Sequence, residues 1–447
     1  MAVESGAAAE QDLPDGDPAS ITRRAPFADR PNVGERGQRA QQRILEAALT
    51  VFGEVGYHDT GIKRITELSG CSRASFYQYF SSKEDLFRHL AGRVARDLSA
   101  SAEALGPVTA DIAGWTALNE WLERYSVIFD ANEPVFATFQ SAAESDASVA
   151  AGAARVGARS QAEVRARISN SPLAPAHLDK LVRLVLDGVS RANRESELLE
   201  QASGRAVPRA RLNVAFADVL HRTLFGRIDG VNVHAGPKRL IPVSGSPSLG
   251  IERPDDAPDE SLGPAAQKTR ELLLDTARQV FVDRGFYATR VADIVAAAGV
   301  SHGVFYRYFE NKTQLFRILA QEASLRVAEA RIDVPDLVHD TPERAEALRV
   351  WLRSYARSYA SESAIFAMWH QAMSRDSDLA PLSAAVIEHF RAKIARGLEP
   401  RGWGDADAEA LVLLVLLDAM TGHKITPARL ELVARTIETG VLGAPLT

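Results

Sequence analysis

The chain has 447 residues, about three times the ~150 of an average domain, with 52 Lys+Arg against 58 Asp+Glu, a formal charge of -6 and 46% apolar residues. Several domains with full cores are expected, and both wholesale disorder and a uniformly basic coat are excluded. A single cysteine, Cys71, excludes an intrachain disulfide framework and any multi-cysteine metal site, and fits a reducing compartment.

Residues 1–35, with PDGDP and no apolar period, are expected to form a disordered tail. Ile44, Leu45, Ala48, Val51, Phe52 and Val55 then mark one face of an amphipathic helix that Gly56 ends. Thr60 is the expected N-cap of a second, short helix carrying Ile62, Ile65 and Leu68. Gly70 breaks that helix, and Ser72 is placed to cap a third, Arg73 to Phe80. Ser82 and Asp85 have the spacing that starts a fourth helix near Lys83. Two short helices joined by a glycine turn and braced by their neighbours form a helix-turn-helix.

The chain then repeats itself. Shifted by 229 positions, Leu45–Leu90 aligns without a gap, and 18 of its 46 positions are identical. Asn311 and Gln314 repeat the start of the fourth helix at Lys312. At an offset of 230, Trp121, Leu122 and Tyr125 pair with Trp351, Leu352 and Tyr355, Phe136 with Phe366, and the run Leu181–Leu186 with Leu411–Leu416. The expected domains are a head at 36–90, a helical body at 91–226, a Gly/Pro/Ser/Asp-rich linker at 227–263, a second head at 264–320 and a second body at 321–447. The fold class is all-α.

From Arg36 to Arg93, and again from Pro264 to Arg326, there are nine basic and six acidic residues. Each head is thus at +3 and, with the whole at -6, the remainder is at -12. Basic heads on acidic bodies are the distribution expected if the heads meet phosphate. The longest apolar run, Ala410 to Leu417, falls short of the ~20 residues that span a bilayer, and the start lacks a basic region followed by an apolar one. A cytoplasmic protein with no membrane partner is expected.

Both heads resemble the DNA-binding domain of the TetR family of bacterial transcription regulators. The resemblance rests on Phe52, Gly56, Tyr57, Thr60, Ile65, Gly70, Cys71, Ser72, the FYQYF run of Phe76–Phe80, Lys83 and Leu86. Their counterparts are Phe281, Gly285, Phe286, Thr289, Ile294, Gly299, Val300, Ser301, the FYRYF run of Phe305–Phe309, Lys312 and Leu315. The resemblance implies that Arg73, Ala74 and Ser75 approach base edges, with Arg73 a bidentate guanine reader; a solvated or phosphate-bound arginine is the plainer alternative. Tyr77, Tyr79, Lys83 and Thr60 would grip the sugar-phosphate backbone, with partial burial as the alternative for the tyrosines. In the second copy the base-reading trio is His302, Gly303 and Val304, and the backbone set is Tyr306, Tyr308, Lys312 and Thr289. The two heads should then prefer different half-sites. Phe76 and Phe80 share one helix face and are expected in the core, whereas Tyr77 and Tyr79 project elsewhere.

Cys71 aligns with Val300 and reads as a small apolar turn residue. No catalytic constellation, metal set or cofactor loop stands out, so no enzyme and no cofactor are expected. The bodies carry Trp121, Tyr125, Phe136 and Phe139, then Trp351, Tyr355, Phe366, Met368, Trp369, His370 and Met373. Singly such residues are more often core; together they resemble the family's apolar effector cavity, with the second copy the better candidate. Leu181–Leu186, Leu212–Leu224, Leu411–Leu417 and Leu430–Leu442 resemble the last two helices of each body, which in the family pair between subunits. The sequence reading is a regulator that binds a double-stranded operator and is released by a small-molecule effector, acting as an intrachain pseudo-dimer or as a homodimer with four heads. The alternative is a small-molecule-binding or assembly protein in which one or both heads are structural only.

Overall fold

The computed structural model describes residues 34–203, 207–234, 263–332, 342–373, 379–421 and 426–445. Residues 1–33 of the expected tail and 235–262 of the expected linker lie outside them. The described residues hold seventeen α-helices and no strand; an isolated bridge joins Val108 to Ile168. None of the described helices is long and apolar enough to cross a membrane. They fall into two compact units, one of residues 34–48 and 61–86, the other of 49–60 and everything from 87 onward.

The smaller unit contains the start of α1 (Glu35–Asp59), all of α2 (Ile62–Ser69) and α3 (Arg73–Tyr79), and the first residues of α4 (Lys83–Glu103). Between α2 and α3 the chain turns at Gly70, whose φ of 66° is the left-handed conformation that only glycine adopts without strain. Its N–H reaches the Glu67 carbonyl and that of Cys71 the Thr66 carbonyl, which closes α2. The Ser72 hydroxyl then accepts from the Ser75 N–H, as expected of an N-cap. Two details of the second helix differ from expectation. Gly61, not Thr60, occupies the N-cap of α2, because the Thr60 hydroxyl is already donated to the Gly56 carbonyl at 2.6 Å. Leu68 is 54% exposed: the buried face of α2 runs through Ile65, Thr66 and Ser69, and Leu68 lies about 110° around the helix from it.

The larger unit comprises a first body, a second head and a second body. The first body is α5 (Ile112–Ala131), α6 (Glu133–Ser145), α7 (Ala147–Arg167), α8 (Pro175–Ser203) and α9 (Arg209–Phe225). The second head is α10 (Pro264–Arg284), α11 (Val291–Ala298), α12 (His302–Tyr308) and α13 (Lys312–Ile332). The second body is α14 (Pro342–Met373), α15 (Leu379–Leu398), α16 (Ala406–Thr421), α17 (Pro427–Arg435) and a terminal π-helical turn, Thr436–Val441.

The bodies share a single apolar core in which α8 and α9 pack on α15 and α16. Ala410–Leu417 of α16 is buried on every side, because α8, α9 and α15 surround it. Charged groups are buried with that core. The Arg222 guanidinium of α9 is fully enclosed and donates to the Gly440 carbonyl (2.6 Å), the Asn232 carbonyl (2.5 Å) and Glu409 Oε1 of α16 (2.9 Å). Arg401 takes the other Glu409 oxygen at 2.8 Å, and the Trp403 ring lies against Arg222, Arg227 and Arg401. Enclosed charges are tolerable only with this degree of pairing. The start of the expected linker belongs to this structure too. Arg227–His234 folds back on α9, where Asn232 is fully buried and donates to the Gly226 carbonyl and to His221 Nδ1.

One difference between the halves positions the cavity described below. In the second half α14 runs unbroken for 32 residues. In the first half the matching stretch is split into α5 and α6 at Asn132, with Pro134 at the start of α6. Proline lacks the N–H an uninterrupted helix requires, and its ring collides with the preceding turn.

Candidate nucleic-acid interface and body cavity

Within the smaller unit, Phe76 and Phe80 are fully buried, 5.7 Å apart, and so fix the orientation of α3. Arg73 and Ala74 are exposed at its N-terminus, Ser75 is half-buried, and Tyr77 is 36% exposed. Lys83, at the first turn of α4, is half-buried. Tyr79 departs from its expected outward direction: it is 7% exposed, because on a two-turn helix positions 76, 79 and 80 form one face. Thr60 is likewise buried with its hydroxyl committed internally.

The second head repeats this geometry. Gly299 has φ 66°, the Ser301 hydroxyl caps α12, and Phe305 and Phe309 are buried. His302 and Gly303 are exposed, Val304 is half-buried, Tyr306 is 57% exposed and Tyr308 half-buried. Thr289 is buried and donates to the Gly285 carbonyl at 2.8 Å. Lys312 is also engaged within the head. Its ammonium donates to the Phe286 and Thr289 carbonyls at 2.8 and 2.7 Å and lies 4.6 Å from the Phe286 ring, so it ties α13 to the turn between α10 and α11. Burial pushes its pKa below the ordinary lysine value.

The heads differ in where their charge sits. Lys63 and Arg64, exposed on α2, correspond to Ala292 and Asp293, while Arg290 and Arg307 stand where the first copy has Gly61 and Gln78. Asp293 receives the Arg290 backbone N–H and an ion pair from Arg284 at 2.7 Å, which hold its carboxyl below the usual range. The second head is also fixed to its own body. Glu362 of α14 is buried and receives Arg278 of α10 at 2.5 Å and Arg326 of α13 at 2.7 Å.

In the bodies, Trp121, Tyr125, Phe136 and Phe139 line a cavity of about 1330 Å³, bounded chiefly by α4–α8 and at one edge by Tyr359, Ser363 and Ala364 of α14. The Tyr125 and Ser190 hydroxyls are hydrogen-bonded, and burial raises the Tyr125 pKa. This cavity, among the described residues, lies in the first body, whereas the sequence preferred the second. Trp351 and Tyr355 are buried in the common core, Tyr355 donating to Asp418 at 2.8 Å, and Phe366 is partly buried against both cores. Met368 and Trp369 join the core of the second head, because the unbroken α14 carries Ile365, Met368 and Trp369 as one stripe onto that head. The side chains of His370 and Met373 lie outside the described residues. The polar lining residues Ser190, Arg191 and Arg194 escape a search for aromatic clusters. A comparison of the copies exposes the first two, since Ser190 and Arg191 stand where the second copy has Met420 and Thr421, but not Arg194, which stands opposite Lys424.

An all-helical chain with two helix-turn-helix heads, each with a buried phenylalanine pair and a polar N-terminal face on its third helix, is thereby defined. Residues 44–90 and 273–319 each match the family described as bacterial regulatory proteins, tetR family. The chain thus carries that family's N-terminal module twice, in tandem. It is 35% identical over 117 residues to the probable acrEF/envCD operon repressor of Escherichia coli K12, covering 26% of this chain and 53% of the relative. It is 34% identical over 79 residues to the HTH-type transcriptional repressor BepR of Brucella suis biovar 1, covering 17% and 38%. To the HTH-type transcriptional repressor AcnR of Corynebacterium glutamicum it is 38% identical over 59 residues, covering 13% and 31%. The chain thus spans about half, or less, of the length of these relatives.

Proposed function

We propose that the chain is a transcriptional regulator that works in the cytoplasm, binds an asymmetric duplex operator through two unlike heads, and releases it when a small molecule fills the first body's cavity. The carrying observation is that both third helices keep their buried phenylalanines while the trio at the N-terminus, its first two residues exposed, changes from Arg73, Ala74 and Ser75 to His302, Gly303 and Val304. Arg73 offers a bidentate fork to guanine, whereas Val304 can touch only a thymine methyl. Tyr77 and Tyr306 hold the backbone. The heads are residues 36–90 and 264–320, and the bodies act as a pseudo-dimer within one chain, which their common core supports.

The relatives named as repressors favour repression as the output. Release needs a ligand that prefers one conformation of the bodies, and α14 offers a path for that preference. Its Tyr359 and Ser363 border the cavity, and its Glu362 grips α10 and α13 of the second head. A second reading, in which the second head is only structural, draws on Lys312 and Thr289 being bonded internally and on that head packing against α14.

The test is selection of bound genomic fragments by the purified chain, followed by footprinting of Arg73→Ala/Tyr77→Phe and His302→Ala/Tyr306→Phe variants. Each variant is expected to lose one half of an asymmetric footprint, Arg73→Ala costing about 1–3 kcal/mol at its guanine. Loss in the first variant alone establishes the structural second head. Undiminished retention by both sinks the regulator reading in favour of a ligand-binding or assembly protein.

A further inference from the structure

The cavity has an apolar wall and a cationic one. Trp121, Phe136 and Phe139 supply the first. Among the described lining residues there are four arginines, Arg88, Arg155, Arg191 and Arg194, against one carboxylate, Asp187. Arg88 is paired with Asp146 at 2.8 Å, and Asp187 lies 3.9 Å from Arg429. Arg155 is exposed. That leaves Arg191 and Arg194, three positions apart on α8 and therefore on one face.

Arg194 is the informative member. Its Nε is buried without a hydrogen-bond partner, and burial together with the neighbouring Arg191 charge lowers its pKa despite Glu195, Tyr125 and Glu133 nearby. A native protein rarely leaves a buried guanidinium N–H unsatisfied, and two like charges turned into one hollow cost energy unless an anion joins them. The fold does not demand this arrangement. At the 230-residue offset Asp187, Ser190 and Arg191 correspond to Leu417, Met420 and Thr421, so the homologous helix dispenses with these three polar groups, while Arg194 corresponds to Lys424 and a cation is kept at that position.

We propose that the first body's cavity binds an apolar carboxylic acid, its carboxylate on Arg194 and Arg191 beside the Tyr125–Ser190 hydroxyl pair and its hydrocarbon against Trp121 and Phe136. The ligand-class assignment rests on the effector reading given above. Charge-assisted bonds to two guanidiniums select an anion over a neutral molecule of the same shape, while the aromatic wall contributes affinity without fixing the chain or ring system.

Calorimetry on the full chain without DNA tests this, with decanoate and 2-naphthoate against 1-decanol and 2-naphthalenemethanol. The expected result is one acid per chain, bound at least about 10-fold more tightly than the matching alcohol, with that preference lost in Arg194→Met. Arg191→Gln, which leaves the buried Arg194 in place, is expected to lower it several-fold and serves where Arg194→Met fails to fold. Binding of neither acid, equal affinity for acid and alcohol, or a preference that survives both substitutions overturns the assignment. Operator release is measured separately. An acid that binds without releasing DNA defeats the effector role and leaves the ligand class standing, whereas release by alcohol and acid alike does the reverse.

Discussion

His221 and His234 belong to one polar knot but hold their protons with opposite strength. Burial lowers the pKa of His221, whose Nε2 donates to the Thr109 carbonyl at 2.8 Å while Nδ1 accepts from Asn232. His234 is held above its ordinary value by its 2.7 Å hydrogen bond to Asp218, which also accepts from Trp115. The signs follow by linkage. His234 contributes stability that is complete below about pH 6.5 and is lost as pH rises through its raised folded value, whereas His221 contributes above about pH 6.5 and loses it as pH falls through its depressed one. In thermal melts against pH, His234→Gln is expected to lower Tm most at acidic pH and progressively less above neutrality, and His221→Gln to flatten the acid limb. A His234→Gln deficit independent of pH contradicts the assignment. None of this was legible in the sequence, where His234 read as linker; only the chain's return onto α9 brings it to Asp218. The opposite holds for Phe76 and Phe80, whose one-turn spacing announced their burial. Tyr79 was misplaced because a two-turn helix buries a wider arc than a single i,i+4 pair describes.

Among the elements, the turn glycines were the most readable features. Gly70 and Gly299 both hold φ 66° between the two short helices, and no atom lies within 4 Å of where a Cβ would be. Alanine at either position therefore meets strain and no clash. Each substitution is expected to cost about 1–2 kcal/mol in denaturant unfolding, and a change under a few tenths would remove the conformational argument. The break between α5 and α6 was less readable. Pro134 marked it, but the sequence comparison weighed aromatic richness and preferred the second body, whereas the cavity among the described residues lies in the first. What decided the matter was continuity: an unbroken α14 delivers Met368 and Trp369 to the second head, while the split at Asn132 leaves Phe136 and Phe139 facing a hollow. Aromatic content is a property of composition, and cavity formation is a property of how helices are interrupted.

For the molecule as a whole, the apolar runs on α8, α9 and α16 were legible as interface helices, and they do form one core. The ionic centre of that core was not, since Arg222 lies 187 residues from Glu409 and all three, with Arg401, look like ordinary surface residues in one dimension. Glu409 is fully buried and receives both arginines. Replacing it with glutamine leaves Arg401 without its carboxylate and Arg222 with only Asp218, 3.8 Å away, and is expected to cost about 3–5 kcal/mol, the range for breaking a buried pair. Urea unfolding should show this as a lowered midpoint for the shared core, followed by a probe in each body. Separate transitions for the two bodies, only one of them displaced, would show that the ionic centre does not join them.

The common core has a consequence for how such a protein changes over generations. In a symmetric assembly of identical chains every mutation is inherited in duplicate, so a change that suits one side is imposed on the other. Here the two sides are written separately, and each can drift alone while the join keeps them in fixed company. A hollow can be reshaped in one lobe without its sibling following, and one tip can exchange arginine for histidine while its neighbour keeps it.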